Sequence, residues 1–330
     1  MTHPLDADNP DAGILRTANI RLQRQLKAAT VKRDDMIEAI FQAASAAACR
    51  QGLAVAPKPE TEQRRKNIEI ALVHATDFQC GKISPTFNMG ILADRIALFS
   101  RKIARITEIQ RSDHPVKECV LMLGGDMVEG IQIFPGQVYE VEAGLYDQTF
   151  ACARIIEQLC VDLLAAFERV RVITEYGNHG RLGRKGDYPV VDNIDRMVYA
   201  IVESRFGGEK RISFAHSSDF FNTVEIGNYR ALLIHGDEIG SAGGIVRKCT
   251  SWASGAIPWD FKDVYIGHFH TPQTLALPNA GRAFVTGSPE SANSYAAEVC
   301  AATGTPSQRL HYIDPERGRV TSEHTIWLEG

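Results

Sequence analysis

Eight side chains suited to metal and acid–base chemistry stand in five short clusters along the chain. In chain order they are Asp77 and Gln79, then Asp126, then Asn178 and His179, then His235, and finally His268 and His270. Carboxylate and amide oxygens and imidazole nitrogens are the groups through which proteins bind Mn²⁺, Mg²⁺, Fe²⁺ and Zn²⁺. The residue types therefore predict a divalent-metal centre, provided that the fold brings the clusters together.

Each cluster comes at the end of an apolar run that is typical of a buried strand. The five runs cover residues 68–77, 118–126, 169–178, 229–237 and 263–270. Helix-like stretches over 91–110 and 146–170 lie between them, and the tail adds strand-like segments in RAFVTGSP, QRLHYIDP and TIWLEG. Alternation of this kind predicts a layered α/β domain.

The position of the clusters at strand ends favours a single shared site. In open α/β sheets the carboxyl ends of the strands meet at the ligand crevice. A lone histidine at a strand end is more often a structural residue than a ligand. Eight suitable side chains at five successive strand ends favour the functional interpretation.

The order Asp-x-Gln, Gly-Asp, Gly-Asn-His, His and Gly-His-x-His resembles the motif order of the calcineurin-like metallophosphoesterase superfamily, over roughly residues 68–290. The resemblance implies an α/β/β/α architecture, a layered β-sandwich flanked by helices. It also implies a phosphoesterase with two divalent metal ions that hydrolyses phosphodiester bonds with metal-activated water.

The same resemblance implies a role for each of the eight side chains. The expected ligands are divided between two ions, with Asp77, Gln79 and His270 at the first, Asn178, His235 and His268 at the second, and Asp126 as the bridge. His179 is expected to contact the phosphate and to help protonate the leaving oxygen. Because only two carboxylates face two dications, the loaded site stays cationic and attracts a phosphate.

Gln79 stands where the superfamily usually has histidine. An amide oxygen is a harder and weaker ligand than imidazole, so we predict looser binding of the first ion and a preference for Mn²⁺, with Mg²⁺, Fe²⁺ or Zn²⁺ as alternatives. The competing interpretation is that Gln79 does not bind metal and that water takes its place.

Two further positions depart from the superfamily pattern. Gly180 follows His179 where an acid is usual, which leaves open what orients the His179 ring. Glu129 stands where aspartate is common. It is predicted either to contact a site residue from behind or to cap the start of a helix.

The residues after His179 are basic and include Arg181, Arg184 and Lys185. One interpretation is a clamp for flanking phosphates, because the guanidinium fork matches phosphate oxygens. The other interpretation is an ordinary solvated loop.

Three functions are compatible with these residues. The segments GGDMVEGIQIFPGQ and GNHGR resemble, more loosely, phage and bacterial proteins described as DNA-repair exonucleases of the SbcD-like branch, which predicts a DNA nuclease. The alternatives are a phosphodiesterase or phosphatase for a nucleotide, a cyclic nucleotide or a phosphoprotein, and a non-catalytic subunit of a nucleic-acid-processing complex.

The N-terminal region differs in composition from the rest of the chain. We predict a disordered tip and a long helix over 1–53, a Pro-rich charged linker over 54–66 and the metallophosphoesterase domain over 67–330. The helix is predicted to dock on the domain, to form a homodimer or partner contact, or to act as a nucleic-acid arm.

Composition limits the cellular setting. The net charge of −4 gives no general nucleic-acid signal, so DNA binding would depend on a local groove. No run of about 18 apolar residues and no secretory leader are seen. Seven cysteines without a CxxC pair are typical of a reducing compartment. A cytoplasmic protein of a bacterial or phage-infected cell is expected.

Overall fold

The computed structural model describes residues 52–131, 133–183, 185–186, 188–189, 192–278, 280–290 and 304–329, with some residues between 20 and 50. The chain divides into two compact units, Met1–Gln51 and Gly52–Gly330. The described residues of the first unit are helical. The predicted disordered tip, the predicted homodimer or partner contact and most of the predicted long helix lie outside the described residues.

The segment predicted as a linker has neither helix nor strand, and it runs along the surface of the second unit. The Ala54 amide donates to the Arg205 carbonyl at 2.9 Å, and the Glu62 amide donates to the Glu168 carboxylate at 3.0 Å. These contacts attach the segment to the domain that it precedes.

Eleven strands form from the described residues of the second unit: β1 (Glu69–Ala75), β2 (Val116–Gly124), β3 (Arg169–Glu175), β4 (Ile212–His216), β5 (Phe221–Ile226), β6 (Tyr229–Ile234), β7 (Asp263–Ile266), β8 (Gln273–Ala276), β9 (Arg282–Val285), β10 (Ser307–Asp314) and β11 (Arg319–Trp327). One sheet has the order β11-β10-β1-β2-β3-β4 and the other β5-β6-β7-β9-β8. Strands β1 to β4 run parallel in the first sheet, as do β6, β7 and β9 in the second.

Four α-helices accompany the sheets: α1 (Met89–Gln110), α2 (Leu145–Ala166), α3 (Ile194–Arg205) and α4 (Ile245–Ser251). Helix α1 begins after Asn88, whose side chain accepts a hydrogen bond from the Ile91 amide at 2.8 Å. Its buried residues recur every three or four positions, which directs one face inward. None of the helices among the described residues combines the length and apolarity that crossing a bilayer requires.

The main core lies between the two sheets. Leu72, Val120 and Ile173 from the first sheet pack with Leu233 and Tyr265 from the second. On the outer face of the second sheet, α4 and the turn after it form another apolar cluster. The predicted layered β-sandwich flanked by helices is therefore confirmed.

Several predicted boundaries are corrected. Each of the five predicted strands stops two to four residues before the end of its apolar run, so most of the polar residues lie in loops. The helix predicted to end at residue 170 ends at Ala166, because Phe167 turns to an extended conformation and buries its ring. Strands β4, β5 and β8 and helices α3 and α4 were not predicted, since their polar exposed faces mask the apolar pattern.

Candidate metal centre

The loops that carry the predicted residues leave the ends of five strands in two sheets. The ends are level within each sheet, with Ala75 beside Leu123 and Ile234 beside Ile266. Between the sheets, Nδ1 of His235 lies 2.9 Å from the Gly124 carbonyl oxygen and donates to it. The sandwich thus brings together loops that a single open sheet would have spread along one edge.

The backbone of these loops is strained at the predicted residues. Seven non-glycine residues of the described chain have positive φ, and five belong to the predicted set, with φ between 48° and 63°: Asp77, Gln79, Asp126, His268 and His270. Each such conformation costs about 1–3 kcal/mol and is concentrated at functional sites in proteins. The surrounding hydrogen bonds must hold these side chains in place.

Asp77 and His270 form the first contact in the centre. His270 Nε2 lies 3.2 Å from Asp77 Oδ1, and the His268 amide donates to both carboxylate oxygens of Asp77 at 3.0 Å. Asp77 is fully buried. Its carboxylate is therefore fixed with one oxygen beside an imidazole nitrogen.

Asp126 lies between the two predicted groups of ligands. Its Oδ2 is 3.4 Å from Gln79 Nε2 and 3.1 Å from His235 Nε2, and its Oδ1 accepts from the His179 amide at 2.7 Å. Asp126 therefore contacts a member of each predicted group of ligands.

The second predicted group is assembled around His235. His235 Nε2 lies 3.2 Å from Asn178 Oδ1, and the His235 and His268 rings are 5.2 Å apart. Asp126, His235 and His268 each offer a ligand atom within 4.8 Å of the others. The structure thus brings all seven predicted ligands to one place.

Gln79 provides a test of whether these residues suit a cation. Its Oε1 is buried and has no hydrogen-bond partner among the described residues, although an unpaired buried oxygen is costly. The seven side chains linked by these contacts carry two carboxylates, two amides and three imidazoles. This set of oxygen and nitrogen donors fits divalent metal ions.

Replacing Gln79 with alanine is expected to weaken one metal site and spare the other. The Mn²⁺ content of the purified variant should fall toward one ion per chain, because the unpaired Gln79 oxygen is one of the predicted donors. Gln158→Ala, which removes an exposed glutamine on α2, serves as the control. Unchanged occupancy of both sites in Gln79→Ala would show that Gln79 is not a ligand.

The predicted ligands include buried acids and imidazoles that shift one another's pKa values. Burial opposes ionisation of Asp126, but His235 and His179 outweigh it and lower the pKa of the carboxyl below its usual range. Burial also disfavours protonated His270, yet Asp77 raises the pKa of that imidazole to about 10. The pKa of His235 is raised as well, since Asp126 outweighs burial, whereas burial lowers the pKa of His268 to about 4.

Metal binding is expected to release protons near neutral pH. An imidazole binds metal only when neutral. In the metal-free protein the pKa of about 10 keeps His270 protonated at pH 7, and the raised pKa of His235 favours its protonated form, whereas His268 is neutral. Apparent Mn²⁺ affinity should therefore rise about tenfold per pH unit for each proton released. Calorimetric titration between pH 6 and 8, in buffers of different ionisation enthalpy, measures both effects, and a pH-independent affinity would contradict them.

His179 is held from behind by Glu129 and Gln137. His179 Nδ1 donates to the Glu129 carbonyl oxygen at 2.9 Å and lies 3.5 Å from the Glu129 carboxylate. Gln137 Nε2 donates to the same carbonyl at 2.6 Å and to the Glu129 carboxylate at 3.0 Å. Burial lowers the pKa of His179, but Asp126 and Glu129 outweigh it and raise it to about 9.

These contacts fix the orientation of the His179 ring. Since Nδ1 is engaged by Glu129, Nε2 is the nitrogen that faces the centre, 3.9 Å from Asp126 Oδ2. Glu129 is fully buried and contacts His179, and no described helix begins beside it. Of the two roles predicted for Glu129, the structure shows the contact behind a site residue.

Gly180 is a glycine because its side-chain space is already filled. A Cβ at this position would lie 2.1 Å from Asn193 Oδ1 and 3.1 Å from Asp195 Cγ. Asn193 cannot move away freely, because its Oδ1 caps α3 and its Nδ2 donates to the Gly177 carbonyl at 2.8 Å. The acid that is usual at this position would therefore not fit beside Asn193, and the packing of this chain requires glycine.

Gly180→Ala is expected to destabilise the protein by about 1–3 kcal/mol, because the added methyl group overpacks a filled site. Thermal or urea unfolding measures the loss. Gly243→Ala is the matched control, since a Cβ there meets nothing within 4 Å and Gly243 has no positive φ. Equal stability of the two variants would show that Asn193 yields its space without cost.

The basic loop is only partly described. Arg181 Nε donates to the Asn178 carbonyl at 2.8 Å, and Lys185 Nζ lies 3.4 Å from Asp237 Oδ2. Arg184 lies outside the described residues. Both described side chains line a cavity of about 240 Å³ that is also lined by Asn178.

A buried ion pair between Glu290 and Lys82, behind His270, was not predicted from the sequence. Glu290 Oε2 lies 3.5 Å from His270 Nδ1, and Glu290 Oε1 is 2.9 Å from Lys82 Nζ. The two side chains are almost fully buried. No local pattern marks either residue, because the contact joins loops more than two hundred positions apart in the sequence.

Comparisons with known proteins give remote structural likenesses. No protein-family model matches the chain, and no curated protein matches it. Wild-type Vps29 of Entamoeba histolytica, solved in complex with zinc, is 12% identical, with a TM-score of 0.34 over 78% of this chain and 99% of that one. A predicted phosphoesterase of Streptococcus pneumoniae is 11% identical, with a TM-score of 0.32 over 78% and 98%.

A 5'-nucleotidase of Candida albicans is 12% identical, with a TM-score of 0.35 over 82% of this chain and 54% of that one. At such identities and scores, the chemistry of these proteins is not transferable. The function proposed below depends on the residues of this chain.

Proposed function

We propose that this protein is a phosphodiesterase that uses two divalent metal ions, and that its substrate is DNA. The observation that carries the proposal is the set of contacts that links seven oxygen and nitrogen donors from the loops of two sheets, with His179 beside Asp126. The proposed ligands are those of the two groups described above. Mn²⁺ is the preferred ion, because three of the four residues at the first site, counting Asp126, offer oxygen.

The ions, when bound, lower the pKa of a coordinated water and neutralise charge on the phosphoryl oxygens. The chain supplies orientation around them. Gly124 holds His235 through Nδ1, so that Nε2 faces the centre. Glu290 stands behind His270 in the same way, with its carboxylate 3.5 Å from Nδ1. Such partners fix ring orientation and raise the basicity of metal-binding histidines.

His179 is proposed to deliver a proton to the leaving oxygen. Its Nδ1 donates to the Glu129 carbonyl, so the second proton of the imidazolium resides on Nε2. In the metal-free protein Asp126 and Glu129 outweigh burial and raise the pKa of His179 to about 9, which favours the protonated ring at neutral pH. The same positive charge can first contact a phosphoryl oxygen, so one group both binds the phosphate and assists departure of the leaving oxygen.

The proposed substrate follows from the surroundings of the centre. The cavity beside Asn178 combines aromatic and basic side chains: Tyr176, Tyr188, Phe220, Arg181 and Lys185. Bases stack on aromatic rings, and guanidinium and ammonium groups bind flanking phosphates. Phe134 presents an exposed ring with its centroid 6.1 Å from the His179 imidazole. These features support binding of a single strand across the centre.

A second candidate, a small-molecule phosphodiesterase or phosphatase, is favoured by the acids of the same cavity. Asp237 and Glu238 also line it, and Asp237 pairs with Lys185 at 3.4 Å. Its volume of about 240 Å³ suits one nucleotide-sized group. A cavity with this charge balance attracts a long polyanion less strongly than a purely basic groove does.

Incubation with Mn²⁺ separates the candidates. We expect the full chain to degrade labelled single-stranded DNA, and we expect His179→Ala to lose that activity. Binding to DNA should weaken as salt increases. Turnover of bis-p-nitrophenyl phosphate with single- and double-stranded DNA left intact would support the small-molecule enzyme. Absence of turnover with every divalent metal tried would support a non-catalytic subunit.

A further inference from the structure

The start of helix α3 lies against the two loops that carry Asp126 and Asn178. Asp195, the second residue of α3, is fully buried, and its carboxylate accepts hydrogen bonds from four backbone amides outside its own helix. Oδ2 accepts from Asp126 and Gly177, both at 2.9 Å. Oδ1 accepts from Met127 at 3.0 Å and from Val128 at 3.4 Å.

Asp195 does not serve its own helix in these contacts. An acid in the first turn of a helix ordinarily stabilises the free amides of that turn. Here Asn193 caps α3, with its Oδ1 accepting from the Asp195 amide at 2.9 Å. The Asp195 carboxylate is thereby left to face the neighbouring loops.

The four amides belong to segments that place candidate ligands. Asp126 has a strained φ of 52°, and its Oδ1 accepts from the His179 amide at 2.7 Å. Gly177 precedes Asn178 directly in the sequence. Because one oxygen of Asp195 binds the amides of both Asp126 and Gly177, it fixes the separation between the β2 and β3 loops.

We infer that Asp195 is a positioning residue that holds Asp126 and Asn178 at the spacing required for metal binding, an inference that rests on the proposed function. The space after His179 is consistent with this role, since a Cβ at Gly180 would lie against Asn193 and Asp195. Gly180 has no carboxylate, but the Asp195 carboxylate of helix α3 lies next to it.

Asparagine at position 195 keeps the shape and removes half of the accepting capacity. A carboxylate has two accepting oxygens, whereas the amide has one oxygen and an NH₂ group that would face backbone donors. Asp195→Asn is expected to raise the Kd for Mn²⁺ about 10- to 100-fold, the usual effect of losing a group that orients ligands. Calorimetric titration of the metal-free full chain measures this ratio without any phosphoester.

Asp147→Asn is the matched control, because Asp147 also lies in the first turn of a helix but is exposed. It should bind Mn²⁺ as the wild type does. A lower unfolding temperature of Asp195→Asn with an unchanged Kd would make Asp195 a structural residue alone and overturn the inference. If the wild type binds Mn²⁺ but hydrolyses nothing, the proposed function fails while the Kd ratio still decides the role of Asp195.

Hydrogen exchange of the wild type decides the matter if Asp195→Asn does not fold. The amides of Asp126, Met127, Val128 and Gly177 should already be protected in the metal-free protein, since their acceptor belongs to the chain. Amides that become protected only when Mn²⁺ is added would show that the metal, not Asp195, orders the loops.

Discussion

Replacing Asp126 with asparagine is expected to lower kcat by about 10³-fold or more, because bound metal supplies several kcal/mol of transition-state stabilisation and 1.36 kcal/mol corresponds to a factor of ten. Asp126 contacts Gln79 from one group of donors and His235 from the other. Asparagine removes the negative charge between the two proposed cations and can place an NH₂ group where Oδ2 now lies. Both ions should bind more weakly.

Steady-state hydrolysis of bis-p-nitrophenyl phosphate at several Mn²⁺ concentrations measures the effect. Asp263→Asn is the control, because Asp263 is equally buried but accepts from Tyr229 and Arg282, away from the centre. Asp263→Asn is expected to lose stability and to keep its activity per folded molecule. Near-wild-type kcat in Asp126→Asn would contradict a bridging role for that carboxylate.

Replacing His179 with alanine is expected to lower kcat about 10²- to 10⁴-fold while metal content stays at the wild-type value. The ring contributes no proposed ligand atom, and the contact of its backbone amide with Asp126 Oδ1 is retained in alanine. Loss of the imidazolium removes both the phosphate contact and the proton donor. The basic limb that titration of His179 gives to the kcat pH profile should disappear with it.

His114→Ala controls for the loss of an imidazole. His114 is partly exposed, contacts Asp113 and Glu69, and precedes β2 at the end of the sheet opposite the centre. Its kcat should match the wild type. If His179→Ala also lost its metal, His179 would be a ligand or a structural support rather than the proton donor.

Residues of the candidate site could be predicted where a side chain able to bind metal directly follows a strand-like apolar run in the sequence. Asp77, Asp126 and Asn178 each follow a run of apolar β-formers, and parallel strands bring such ends together whatever the details of packing. His268 and His270 were found in the same way at the end of β7. The layered α/β class followed from the alternation of the same runs with helical segments.

The remaining features depend on contacts that no local pattern encodes. Asp195 lies on a helix that was not predicted, and it reaches loops more than fifteen residues away in the sequence. Glu290 lies behind His270 because two distant loops cross. The positive φ values at Asp77 and Asp126 arise from tertiary hydrogen bonds, since neither residue type requires that conformation. Gly180 stands where an acid is usual, and only the structure shows that Asn193 fills the space a side chain would need there.

Counting the bound metal ions decides whether these residues form a metal centre. Metal-free full-length protein and Asp126→Asn should each be titrated with Mn²⁺, and the bound ions measured by calorimetry and by elemental analysis after desalting. The two groups of donors predict two ions per chain in the wild type and loss of tight binding in Asp126→Asn. A wild type that binds no Mn²⁺, or that binds it equally well without the Asp126 carboxylate, would contradict the metal centre.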